Sequence, residues 1–134
     1  MRRVVGLGGV FFKARDSKAL YSWYEKHLGL TRDMMFHNKG DEAGMTVWSI
    51  FPADTKYFGP GPQTLMLNYR VEDLDALLKV LAEEGVTIDP KRDDHDYGKF
   101  AWIVDPEGNR IELWQPKEAK EIGEDPLSPE EPTP

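Results

Sequence analysis

Asp105-Pro106-Glu107-Gly108-Asn109-Arg110-Ile111-Glu112-Leu113-Trp114-Gln115-Pro116 combines a tight turn with a strand that carries a single carboxylate among apolar and aromatic neighbours. Pro106 presets φ at about −65° for the second turn position, Gly108 accepts a positive φ without strain, and Asn109 tolerates the same region. The chain therefore reverses just before Arg110. Side chains alternate across a strand, so Ile111 and Leu113 share one face while Arg110, Glu112 and Trp114 share the other. A carboxylate in the middle of the second set faces water or a cleft.

Upstream, one pattern occurs twice. Val4 to Ala14 is a β-type run thinned by Gly6, Gly8 and Gly9, which implies close approach by another group. Val10, Phe12 and Ala14 fall on one face and Gly9, Phe11 and Lys13 on the other. Asp16 then caps a helix predicted over Ser17 to Leu28, where Ala19, Leu20, Trp23, Tyr24, His27 and Leu28 form an apolar stripe ended by Gly29. Leu30 to His37 and Gly44 to Phe51 read as strands joined by a polar turn from Asn38 to Ala43. The loop between Pro52 and Pro62 carries Tyr57 and Phe58, read as ordinary loop aromatics that pin it to the core.

Gln63 to Val71 restarts the pattern, with Leu65, Leu67, Tyr69 and Val71 on one face and Met66, Asn68 and Arg70 on the other. Asp73 caps a second helix through Leu74, Leu77, Leu78 and Leu81, ending near Gly85. Strands follow at Val86 to Lys91, Lys99 to Val104 and the quoted stretch, with a polar loop expected over Arg92 to Gly98. Placing Asp16 on Asp73, an offset of 57 residues, also superposes Leu20 on Leu77 and Gly9 on Met66. The expectation is an α+β fold of two βαβββ modules.

Composition narrows the function classes. A chain of 134 residues with 40% hydrophobic content supports one domain, predicted as residues 1–116, with module one at about 4–62 and module two at about 63–116. Residues 117–134 are predicted to be an acidic, Pro-rich disordered tail. A net charge of −7 argues against nucleic acid as a partner. No apolar run reaches the roughly 20 residues of a membrane helix and no secretory signal is read, so the expected location is cytoplasmic, with no membrane partner. With no cysteine in the chain, any metal would rest on carboxylates and the three histidines.

The helices cover the apolar faces, which leaves Phe11, Lys13, Asn68, Arg70, Arg110, Glu112 and Trp114 on the open face. That set is too polar for a core and too aromatic for plain surface, and a cleft holding a small molecule is the inference. Trp48 joins it as a candidate stacking surface. Core packing competes for Trp48, Trp114 and Met66, and for Glu112 the competing reading is a salt bridge to Arg70, Lys13 or Arg110.

The paired modules, Trp23-Tyr24 followed by His27-Leu28-Gly29-Leu30, and the ending Asp105 to Leu113 resemble the vicinal oxygen chelate superfamily of glyoxalases, bleomycin resistance proteins and extradiol dioxygenases. The resemblance implies a U-shaped mixed sheet around a cleft, a homodimer, and in enzymatic members a divalent metal held on the first and last strands of each module. Gly9 and Met66 stand at the two first-strand ligand positions and Glu112 at the last, while the fourth strand of module one is hard to find. No cofactor is therefore predicted, and a divalent metal would need Glu112 with His37 or His95. Binding of a small organic molecule in the cleft, including at Met66, is the leading function. The alternative is a metal-dependent lyase, isomerase or dioxygenase, or metal-free acid–base catalysis by Glu112.

Overall fold

The computed structural model describes residues 2–38 and 44–117. The turn expected between Asn38 and Gly44, and the expected tail beyond Lys117, lie outside the described residues. The elements in chain order are β1 (Val4–Ala14), α1 (Ser17–Leu28), β2 (Met34–Asn38), β3 (Gly44–Pro52), β4 (Leu65–Val71), α2 (Leu74–Glu83), β5 (Thr87–His95), β6 (Gly98–Val104) and β7 (Arg110–Pro116).

Both aspartates cap their helices: Ala19 N donates to Asp16 Oδ1 at 3.0 Å and Ala76 N to Asp73 Oδ1 at 3.1 Å. Each such bond satisfies one of the amides that the first turn leaves without an intrahelical partner. Gly29 closes α1 at φ 70° in the left-handed region. The turn before β7 forms around Asp105, whose Oδ1 accepts from Glu107 N and Asn109 N, both at 2.9 Å, with Gly108 at φ 87°.

A seven-stranded sheet in the order β2-β3-β1-β4-β7-β6-β5 joins the modules through the antiparallel pair β1–β4. Within each module the first strand runs parallel to the last, β1 with β3 and β4 with β7, and the last is antiparallel to its predecessor. Module two is βαβββ. Module one, among the described residues, is βαββ, and the strand it lacks is the counterpart of β5, because only the short link from Gly29 to Asp33 separates α1 from β2. The loop expected over Arg92 to Gly98 is instead mostly strand: β5 runs on to His95 and turns tightly, so that His95 pairs with Gly98.

The two faces of the sheet differ. Beneath α2, Val71, Leu74, Leu77, Ala101 and Leu113 form a buried cluster. On the opposite face Phe11, Phe58, Met66 and Trp102 form a second one, which floors a cavity.

Candidate functional site

Glu112 lies at the centre of that second face. The parallel pairing of β4 with β7 sets Asn68 beside it, and the loop after β3 carries Tyr57 over it. Phe58, fully buried against Phe51, pins this loop, as expected of its aromatics. Tyr57 Oη donates to Glu112 Oε1, and Asn68 Nδ2 donates to Oε2 at 2.5 Å. The carboxylate is 1% exposed, and both of its bonds come from neutral donors rather than from Arg70, Lys13 or Arg110.

Burial pushes the Glu112 carboxyl above its ordinary range, against the opposing pull of the Tyr57 and Asn68 donors, the neighbouring Trp102 indole and the Arg110 charge. Burial, together with the neighbouring Glu112, also raises the Tyr57 hydroxyl, so it stays a donor at any ordinary pH. Asn68 Oδ1 is buried and has no hydrogen-bond partner. It sits directly over Gly8, where a Cβ would lie 2.1 Å from it. Glycine at position 8 is what lets β1 pass beneath this amide.

These groups line a cavity of about 280 Å³, close to the lower edge of the roughly 300–1,000 Å³ typical of small-molecule sites. Its walls are apolar: Phe11, Met35, Met45 and Val47 on the module one side, Phe100 and Trp114 on the other. The Phe100 and Trp114 rings stack at 5.8 Å and 6°, and Trp114 Nε1 donates to Tyr97 O at 2.9 Å, which fixes the indole. Asp33, in the left-handed region at φ 51°, supplies a second carboxylate and accepts from Ser49 Oγ at 2.6 Å.

Of the residues expected in the cleft, Phe11, Asn68, Glu112 and Trp114 meet at the cavity. Met66 lies below it in the buried cluster. Arg70 shares the face but reaches along the sheet, with Nη1 donating to the carbonyls of Leu7 at 2.8 Å and Met45 at 2.7 Å. Lys13 lies 5.3 Å from the Phe58 ring. Arg110 pairs with Asp89 and stacks 5.1 Å from Trp102. Trp48 faces the other side, packed under α1 against Tyr21 at 5.7 Å and Tyr24 at 5.1 Å. Its strand turns Ser49 and Phe51 towards the cavity instead, a phase that the run of apolar residues in β3 does not reveal.

Sequence reasoning also missed Tyr57, Asp33, Ser49, Tyr97 and Phe100 as lining residues. Nothing in the sequence marked Ser49, because strand register is a property of the fold. The 57-residue offset between the helix caps also carries Phe11 onto Asn68, and the register pairs Phe11 with Ser49 as it pairs Asn68 with Glu112. Ser49 is thus the module one counterpart of Glu112.

That donor set does not fit a divalent ion. The four positions on first and last strands hold Gly9, Met66, Ser49 and Glu112, and both oxygens of the one carboxylate are engaged by Tyr57 and Asn68. His95 lines the cavity with its ring stacked 4.8 Å from Phe100, whereas His37, opposite Met45 on β2, is exposed and does not line it. Among the described residues no three His, Cys, Asp or Glu side chains gather into a group that could hold a metal.

A family model described as the Glyoxalase/Bleomycin resistance protein/Dioxygenase superfamily matches residues 7–113. Among solved structures, methylmalonyl-CoA epimerase from Mycobacterium tuberculosis is 23% identical with a TM-score of 0.61, over 90% of this chain and 93% of that one. A variant of Streptomyces coelicolor methylmalonyl-CoA epimerase in complex with 2-nitronate-propionyl-CoA is 13% identical with a TM-score of 0.64, over 86% and 99%. A protein titled NAD-dependent benzaldehyde dehydrogenase from Legionella pneumophila is 14% identical with a TM-score of 0.52, over 81% and 98%. Identities this low carry the fold alone. A comparison with curated proteins found no match.

Proposed function

The chain belongs to the Glyoxalase/Bleomycin resistance protein/Dioxygenase superfamily, and from that premise we propose that it binds a small organic molecule in the cavity beside Glu112, without the metal centre of the superfamily's enzymes. One observation carries the reading: the carboxylate expected to ligate a metal is buried at an apolar cavity floor and held by Tyr57 and Asn68. Flat apolar walls bind a ligand body by area, and the few polar groups fix its orientation. The test uses untagged protein dialysed against EDTA and read by tryptophan fluorescence with single-ring aromatic probes. Saturable quenching is the expected result. Near-stoichiometric Fe, Mn, Ni or Zn in the protein as purified, lost in Glu112→Gln, would overturn it.

A second reading, proton transfer by Glu112, draws support from the burial that raises its carboxyl towards the range of a general base. Under it Glu112→Gln loses turnover by at least about a hundredfold, whereas under the binding reading only affinity changes. No helix of the described residues is long and apolar enough to cross a membrane. A cytoplasmic homodimer completes the proposal, and light scattering on the purified chain checks its oligomeric state.

A further inference from the structure

We infer that the ligand is a monocation, an ammonium or amidinium group on a flat apolar or aromatic body, with its charge towards Glu112 and Asp33. This rests on the binding reading above and specifies what it takes. Glu112 uses two lone pairs on Tyr57 and Asn68 and retains others; a carboxylate accepts up to about four hydrogen bonds. Because Asn68 Nδ2 must face Glu112, its Oδ1 is left pointing elsewhere, buried and without a partner. Asp33, already accepting from Ser49, adds a second carboxylate to the lining. The remaining lone pairs of Glu112 and Asp33 give this end of the cavity acceptor capacity, which a donor on the ligand complements.

Charge points the same way. Among the described residues the cavity is lined by two carboxylates, and its single basic side chain is His95, whose ring lies flat on Phe100. The nearby cations are committed elsewhere: Arg110 to Asp89, and Arg70 to the carbonyls of Leu7 and Met45. Glu112 takes its hydrogen bonds from neutral donors and feels Arg110 only through space, and a bound cation adds compensating charge. Next to it stand the Phe100 and Trp114 rings, and aromatic faces attract cations and flat bodies alike. An anionic ligand would meet two like charges.

The test compares three probes of one shape by titration calorimetry on the full, EDTA-dialysed chain near neutral pH: 2-phenylethylamine, 2-phenylethanol and 3-phenylpropanoate. The amine should bind at least about tenfold tighter than the alcohol, and the acid weakest of all. In Glu112→Gln the preference for the amine should shrink to within about threefold, provided the variant keeps its folding transition. The wild-type series stands without the variant. Equal affinities for amine and alcohol, or tightest binding of the acid, would overturn the cation and leave the binding reading intact. Failure of all three probes would overturn both.

Discussion

β3 and β7 occupy the same place in the two modules, yet one brings Ser49 to the cavity and the other Glu112. The helices differ as well. α2 buries Leu74 and Leu77 completely, whereas α1 buries only Tyr21 and leaves Trp23 51% and Leu28 61% exposed. Module two thus holds both the tighter core and the buried anion with its Asn68 donor, while module one supplies the Tyr57 donor and the apolar wall of Phe11, Met35, Met45 and Val47. A duplicated fold does not need duplicated chemistry. One half carries the buried carboxylate, and the other adds a donor to it together with most of the apolar wall.

The largest expected effect tests the difference in cores. Leu77→Ala removes a side chain that is 2% exposed from the cluster under α2 and should cost about 3 kcal/mol in urea denaturation. Its counterpart on α1, Leu20→Ala, acts at a partly exposed position and should cost about 1 kcal/mol. Equal losses would break the comparison.

A smaller effect separates the two polar centres. Tyr57→Phe leaves the buried Glu112 with one donor fewer and should cost about 2 kcal/mol near neutral pH. Ser49→Ala removes only the bond to the partly exposed Asp33 and should cost about 1 kcal/mol. The two variants measured together by thermal unfolding show whether the buried Glu112 depends on its donor more than the partly exposed Asp33 does.

The third prediction is one of sign. Burial raises the Glu112 carboxyl above its ordinary 4.5, so between that value and its folded-state pKa the native chain binds more protons than the unfolded one. Its contribution to stability is complete below 4.5 and is lost as pH rises through the folded pKa. Wild type should therefore lose stability relative to Glu112→Gln across that window, followed by denaturation at several pH values. A difference that grows in the opposite direction would mean the anion is better stabilised folded than unfolded.

Much of this was legible in the residues. The aspartate caps, the leucine stripe of α2, the Asp105 turn and the phase of β4 and β7 are local signals of period and turn chemistry, and all of them hold in the structure. Phe11, Asn68, Glu112 and Trp114 followed from the same alternation. Trp48 did not, because β3 has no polar and apolar alternation to fix its phase, and a shift of one residue moves every side chain to the other face. Tyr57 reaches Glu112 across 55 residues of sequence from an irregular loop, and no periodicity encodes such a contact. The course of Arg70 along the sheet is likewise a matter of tertiary geometry.

Glu112 is a buried carboxylate with no ion pair among the described residues, and the most direct measurement reads that group: a carbon-13 NMR titration of the Glu112 side-chain carboxyl, in the free protein and with 2-phenylethylamine bound. The midpoint should lie above 4.5 in the free chain and fall when the amine is bound. A free-chain midpoint at or below 4.5, unmoved by the amine, would contradict the account.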